Sequence, residues 1–388
     1  MQPILILADD LTGAADTASR CRAAGLSATI FLTSPRPPLP AGVVAFTSDS
    51  RHLPPAEAAA CTRAVAAPLA DQPAIWYKKI DSTLRGNIGS ELDALLDLLD
   101  APGALVCPAF PAQGRGLHDG YLVAPNLSAA VHLPTLLRQQ SRYSVLSFSL
   151  EDVRSGALAQ QFRHRDTEAQ GRKVSVVDAL TDEDLGLIVD AAESVPGLLL
   201  CGSAGLIGEL AKRQGQNKDL PGFGKPGRSD CRSLVVVGSG SPMAHRQIGG
   251  LLAAYPAAPR LVLEVDGIDA TAPEDAPLVL MHQPPPWPGI ALDGPEARRR
   301  AELLADAALV QIGRMQPDLL ILVGGDTAVA VLSRLGVDRL TVQAELLPGM
   351  PLCTAEVNGR SLRVVMKPGS FGDEDALVKA LNRKSVRA

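Results

Sequence analysis

The chain has 388 residues with 37 basic and 42 acidic side chains, for a net charge of −5. At ~150 residues per domain this length predicts two domains, and a hydrophobic share of 46% with 20% charged residues excludes a disordered chain. No basic blocks favour nucleic acid, and no apolar run reaches the ~18 residues of a membrane helix. Aromatic residues are scarce, at 3%, whereas glycine (35) and proline (31) are plentiful. Ligand recognition is therefore expected through backbone amides and small polar groups rather than stacked rings.

The chain opens on an apolar run, Ile4 to Ala8, that turns acidic at Asp9-Asp10 too soon for a signal peptide. Six scattered cysteines without a CxxC read as reduced, mostly buried thiols, so the expected compartment is the cytoplasm. Strands are predicted at 4–8, 28–32, 43–47, 75–80, 105–107 and 198–200. Helices are predicted at 12–24, closed by Gly25, and at 88–99, where Ile88, Leu92, Leu95, Leu96 and Leu99 recur at helical spacing. The stretch 213–232 is polar, rich in Gly and Pro and aperiodic, as linkers are. A second series follows, with strands at 234–237, 261–265, 278–281 and 319–323 and a helix at 295–314; QPPPWP at 283–288 reads as a rigid surface turn. The predicted fold class is α/β, two domains at 1–225 and 226–388. Each has a largely parallel sheet flanked by helices, with a ligand cleft between the domains.

In such folds ligands sit beyond the carboxyl ends of the strands. Four polar clusters fall there in the first half. Asp9-Asp10-Leu11-Thr12-Gly13 offers paired carboxylates for base, hydroxyl or metal chemistry, or simply a helix N-cap. Thr47 to Arg51 offers a guanidinium for a carboxylate, or an exposed salt bridge. The densest, Lys78 to Asn87, packs Lys79, Asp81, Ser82, Thr83 and Arg85 before an amphipathic helix, an arrangement suited to anions. Pro108 to Gly116 presents Arg115 on a preorganised loop. Gly202-Ser203-Ala204-Gly205 fits a binding turn or close helix packing equally well. In the second half, Gly238-Ser239-Gly240-Ser241, Gly324-Gly325-Asp326-Thr327 and Lys367-Pro368-Gly369-Ser370 each follow a strand. Three glycine loops in one domain suit a nucleotide, and no GxxxxGK[ST] occurs, which excludes a P-loop.

With these segments assembled, the chain resembles the four-carbon acid sugar kinase family, once a domain of unknown function. ILADDLTGAAD, TSDSR, KKIDSTLRGN, PAFPAQGR, GSAGL, VVGSGS, LVGGDTA and KPGSFG all have counterparts there, in the same order. The resemblance implies a sugar-acid-binding N-terminal domain, an ATP-binding C-terminal domain and phosphorylation of a terminal hydroxyl of threonate, erythronate or 3-oxo-tetronate. It places substrate at Asp10, Arg51 and Asp81-Ser82-Thr83-Leu84-Arg85, with Asp10, Asp81 and Lys79 as catalytic candidates. It places ATP at Ser239, Gly240, Ser241, Gly324, Gly325, Asp326, Thr327, Lys367 and Gly369. Mg²⁺ is implied with ATP, but no metal ligands are assignable. Asp326 stands where the family often has Glu, Pro368 removes one amide from the last loop, and the stretch around 266–295 is short for the family. The other partners expected are none among nucleic acids or membranes, with a homodimer as the default association. Two rival readings are a nicotinamide-dependent oxidoreductase using the GSGS loop, separable by titration with NAD(H) or NADP(H), and a non-catalytic sugar-acid sensor.

Overall fold

A computed structural model describes residues 2–125, 129–162, 171–215, 231–264, 267–268, 270–284 and 294–382. The chain divides into two units, Met1–Lys218 and Asp219–Ala388. Most of the expected linker (216–230, with the boundary at 225), Val265 and the distal part of QPPPWP (285–288) lie outside the described residues.

In the first unit the apolar run becomes strand β1 (Ile4–Ala8), buried throughout. The alanine-rich segment after it becomes α1 (Leu11–Ala23), one residue ahead of the predicted start. The Asp10 side chain accepts from Gly13 N and so caps its N-terminus. Gly25, at φ +91°, ends the helix, and Leu26 N donates back to Cys21 O at 3.0 Å. Small residues let α1 lie close against the sheet, so most of its residues are buried. The chain continues through β2 (Ala28–Phe31), β3 (Val43–Thr47), α2 (Pro55–Ala66), β4 (Ile75–Lys79), α3 (Ile88–Leu98) and β5 (Gly103–Cys107). A hairpin of β6 (Gly116–His118) and β7 (Tyr121–Val123) then leads to α4 (Leu133–Gln140), β8 (Ser144–Phe148) and α5 (Leu150–Arg154). The unit closes with β9 (Lys173–Val177), α6 (Asp182–Ala192), β10 (Leu199–Gly202) and α7 (Ala204–Gln214).

Its main sheet runs β2-β3-β1-β4-β10-β5-β9-β8 and is parallel throughout the described residues. From β1 the chain winds outward to β2 and back to β3, then crosses to the other side of β1 for β4. The winding direction therefore reverses between β1 and β4, which opens a crevice at their carboxyl ends.

The second unit begins with β11 (Ser233–Val237), α8 (Pro242–Ala254), β12 (Arg260–Val262), β13 (Leu278–His282) and α9 (Gly294–Met315). Then come β14 (Leu319–Val323), α10 (Gly325–Arg334), β15 (Arg339–Leu347), β16 (Met350–Val357), β17 (Arg360–Lys367) and α11 (Ala376–Asn382). Sheet order is β12-β13-β11-β14-β17-β16-β15. The first five strands are parallel, and β17-β16-β15 form an antiparallel meander that the strand patterns did not suggest. Here too the winding reverses beside the first strand, between β11 and β14. Each unit has its own apolar core, built on alternate strand residues such as Leu5, Leu7, Val44 and Phe46 in the first and Val235, Val237, Ile321 and Val323 in the second. Among the described residues no helix is long and apolar enough to cross a membrane. All six cysteines are free and five are buried, and burial pushes the Cys21 and Cys107 thiols up to about 12.

Candidate active site

Strands β3, β1 and β4 are neighbours, with Thr47 and Lys79 both in register with Ala8. Their three exit loops therefore meet at one place, the β1–β4 crevice. Arg51, from the first loop, donates from Nη2 and Nε to Asp9 Oδ1 and Oδ2 at 2.7 and 2.8 Å, and from Nη1 to Asp10 Oδ2 at 2.6 Å. Burial alone would raise the Asp9 pKa, yet Arg51, with Lys78 and Lys79 behind it, holds that carboxyl below the usual range. Burial alone would also discharge Arg51. Asp9 and Asp10 outweigh it, so the guanidinium stays firmly charged.

Asp10 serves two ends at once. Its Oδ1 accepts from Gly13 N at 2.6 Å, and its Oδ2 accepts from Thr12 Oγ1 at 2.7 Å as well as from Arg51. Its side chain is 18% exposed, against 3% for Asp9 and 10% for Asp81, so Asp10 is the most accessible of the three carboxylates.

Asp81 receives Arg85 Nε and Nη2 at 2.8 and 2.9 Å together with the Thr83 hydroxyl and amide, and Arg51 Nη1 lies 4.0 Å away. Burial opposes ionisation here, but Arg85, Arg51 and Thr83 hold the carboxyl well below the usual carboxylate range. Leu84, at φ +64°, folds the loop back so that Arg85 can reach Asp81 four residues earlier. The Arg85 side chain remains 63% exposed. Arg115, from the loop after β5, donates to the Ser82 hydroxyl, and burial lowers its pKa. Lys79 is almost fully buried, and its ammonium donates to Ile80 O at 2.9 Å. Asp9, Asp10 and Asp81 thus share the crevice with Arg51, Arg85, Arg115 and Lys79, and the buried Asp16 acts on Arg115 as well. Lys78 is neutralised by Glu91 at 2.5 Å, and such a concentration of charges and hydroxyl groups suits a small, polar anion.

The structure brings the three polar clusters and Arg115 together as the sequence suggested, with one change of emphasis. Arg51 does not present an open fork, since three of its five N–H groups already bind Asp9 and Asp10. Arg85 is exposed at the crevice and Arg115 half-buried beside it. The Gly202–Gly205 turn has a packing role: Ser203 Oγ donates to Ala109 O at 3.1 Å, and a methyl on Gly205 would lie 2.3 Å from that same oxygen. Ser48 and Ser50, part of the Thr47 to Arg51 cluster, support the Arg51 loop from below together with Glu91, which sequence reasoning missed. Glu91 sits inside an amphipathic helical pattern, where a lone acid reads as a surface residue.

In the second unit Val237, Val323 and Lys367 are in register across β11, β14 and β17. The three glycine loops therefore begin side by side. Gly238 N donates to Val323 O and Gly324 N to Lys367 O, so the ladder extends into the loops. Ser241 caps α8, accepting from Ala244 N at 3.1 Å, and its hydroxyl donates to Gly369 O at 2.8 Å. The loops touch so closely that a methyl on Gly369 would lie 1.8 Å from Ser239 Oγ, and one on Gly238 would lie 2.0 Å from Thr327 Oγ1. Gly324, at φ +109°, adopts a backbone that L side chains avoid. Asp326 stands exposed in the first turn of α10. Two further glutamines brace the loops: Gln247 Nε2 donates to Phe371 O and Asp373 O, and Gln283 Nε2 to Gly238 O. Neither was visible as a site residue in the sequence.

Lys367 is fully buried. Its ammonium donates only to Pro368 O at 2.8 Å and Gly369 O at 3.2 Å, with no carboxylate within ion-pair distance among the described residues. Burial lowers its pKa to about 7. A buried cation without a counter-ion, beside crowded glycine amides, fits the phosphates of a nucleotide. Among the described residues no group of three or more His, Cys, Asp or Glu side chains is arranged to hold a metal ion.

Fold and site together define a two-unit α/β protein with a crevice of charged and hydroxyl groups in one unit and a cluster of glycine loops in the other. Residues 4–210 match a family profile described as a sugar-binding N-terminal domain, and residues 290–377 match one described as a nucleotide-binding C-terminal domain. The chain is 30% identical over 422 aligned residues to a 3-oxo-tetronate kinase of Pseudomonas fluorescens, covering 98% of this chain and 97% of that protein. It is 29% identical to a D-threonate kinase of Salmonella typhimurium, covering 97% of each. A solved Haemophilus influenzae structure from domain-of-unknown-function family 1537 superimposes with a TM-score of 0.69 at 25% identity, covering 97% of this chain and 99% of that one. The chain belongs to the four-carbon acid sugar kinase family.

Proposed function

We propose that this protein transfers the γ-phosphoryl group of ATP to the terminal hydroxyl of a four-carbon sugar acid such as threonate, erythronate or 3-oxo-tetronate. The observation that carries this reading is the crevice at the β1–β4 switch point, where Arg51, Arg85, Arg115 and Lys79 meet Asp9, Asp10 and Asp81 beside the Ser82 and Thr83 hydroxyls. Arg85 and Arg115 attract the substrate carboxylate, and Ser82 and Thr83 lie beside them for its hydroxyls. Asp10, the most open carboxylate, accepts the hydrogen bond of the attacking hydroxyl. Asp81 is held too firmly ionised by Arg85 to take a proton, so it orients rather than deprotonates. Lys79 supplies positive charge near Gly13 and Asp10. Ser239 to Ser241, Gly324 to Thr327, Lys367 and Gly369 hold the nucleotide. Mg²⁺ bound with ATP would supply charge neutralisation at the phosphates. Such a transfer demands positioning and charge compensation more than covalent chemistry.

The test is an ADP-release assay across the stereoisomers of threonate and erythronate and across 3-oxo- and 2-oxo-tetronate. Turnover of none of them would overturn the proposal. Within an active assay, Asp10→Asn is expected to lower kcat about a hundredfold, whereas Asp81→Asn should chiefly raise the KM for the acid by releasing Arg85. A near wild-type kcat in folded Asp10→Asn, or an unchanged acid KM in folded Asp81→Asn, would remove that carboxylate from its assigned role.

ATP binding should also take up a proton. A Lys367 pKa of about 7 leaves the amine mostly neutral at pH 8.5, and a phosphate beside it favours the ammonium. Calorimetry at pH 8.5 in buffers of different ionisation enthalpy is expected to show uptake of up to about one proton per ATP, fading below about pH 6. Lys367→Met should abolish the uptake. Without nucleotide the unfolded chain binds this proton up to its ordinary pKa of ~10.4, so the group makes stability rise with pH from about 7 to 10.

A further inference from the structure

Below the acid site lies a charged pair that the proposed chemistry does not use. Lys78, on β4, is fully buried, and its ammonium sits 2.5 Å from Glu91 Oε2 on α3, a residue only 1% exposed. Buried ion pairs seldom stabilise a fold better than apolar residues of the same volume, so stability alone gives little reason for one here. The second oxygen of Glu91 shows what the pair reaches. Glu91 Oε1 accepts Ser50 Oγ at 2.6 Å, Ser50 Oγ lies 2.7 Å from Ser48 Oγ, and Ser48 Oγ donates to Ala8 O at 3.1 Å. Ser50 N and Arg51 N both donate to Asp9 O. The chain from Lys78 through Glu91 and Ser50 thus ends on the backbone that carries Arg51 and on the strand end that carries Asp9.

We propose that the Lys78–Glu91 pair is a positioning device for the acid site: Glu91 grips Ser50 and thereby sets the Arg51 fork on Asp9 and Asp10. Lys78 holds Glu91 in place through their direct ion pair, which a neutral amide at position 91 would not reproduce. This inference rests on the reading of the first-unit crevice as the acid site. Small displacements matter there, because Arg51 must meet two carboxylates from different positions at once.

The experiment compares wild type with Ser50→Ala, Ser50→Thr and the charge-free pair Lys78→Met/Glu91→Leu, measuring KM for the four-carbon acid, KM for ATP and melting temperature. Ser50→Ala and the double variant should raise the acid KM about ten- to a hundredfold with the ATP KM within about twofold. Ser50→Thr, which keeps the hydroxyl, should recover most of the loss. The double variant is expected to melt at or above the wild-type temperature, which separates positioning from stability. An unchanged acid KM in the double variant, or equal losses for acid and ATP, would overturn the proposal. Hydrogen exchange of the 48–53 segment is a readout that needs no substrate: both Ser50→Ala and the double variant should exchange faster there, with the β1 segment unchanged. If wild type turns over no acid, the proposed substrate is wrong, and unaltered exchange at 48–53 would independently sink the anchor.

Discussion

Replacing Arg51 with methionine is expected to lower kcat/KM for the acid by at least about a hundredfold and to destabilise the protein by about 3–5 kcal/mol. The reason is what the guanidinium leaves behind. Asp9 is 2% exposed, and both its oxygens are satisfied by Arg51. Without that partner it becomes a buried carboxylate beside a second one, Asp10. Lys78 is already committed to Glu91 and cannot compensate. Arg51→Lys is the sharper probe. It keeps the charge but cannot bind Asp9 through two parallel N–H groups and Asp10 through a third. It is therefore expected to recover part of the stability and little of the activity. Thermal melts and steady-state kinetics on both variants check this; a lysine variant with wild-type acid KM would show that charge alone, not the fork, is required.

Gly369→Ala is expected to raise the KM for ATP about tenfold or more while leaving the acid KM unchanged. Gly369 is not among the residues with positive φ, so the requirement is for space. The added methyl would stand 1.8 Å from Ser239 Oγ and 2.6 Å from Ser239 Cβ. A hydroxyl can rotate away, but a Cβ moves only with its backbone, and Ser239 Oγ also accepts from Ser241 N at 3.2 Å. Relief must separate the GSGS and KPGS loops, and overpacking of this kind costs about 1–3 kcal/mol. Ser239→Gly in the same chain removes both clashing atoms. The double variant is therefore expected to regain much of the ATP affinity, and nucleotide titration of the single and double variants measures it. Unaltered ATP binding in Gly369→Ala would mean that the loops spread freely and that their contact does not shape the site.

The α/β class and the positions of the loops were legible in the sequence. Both are local: a short apolar run followed by Asp, Ser, Thr or Gly marks a strand exit whatever lies around it. The antiparallel β15–β17 meander was not legible, because alternation along a half-buried strand does not say which neighbour it pairs with. Which partners the charges take was not legible. Read along the chain, Arg51 was a receptor for a substrate carboxylate or an exposed salt bridge, and Glu91 carried no reading of its own. In three dimensions Arg51 is paired with Asp9 and Asp10 but is buried rather than exposed, and Glu91 is buried against Lys78. Arg85 is the exposed cation of the crevice. Ion-pair partners such as Asp9 and Arg51, 42 residues apart, are chosen by strand order and register, and no local pattern encodes those.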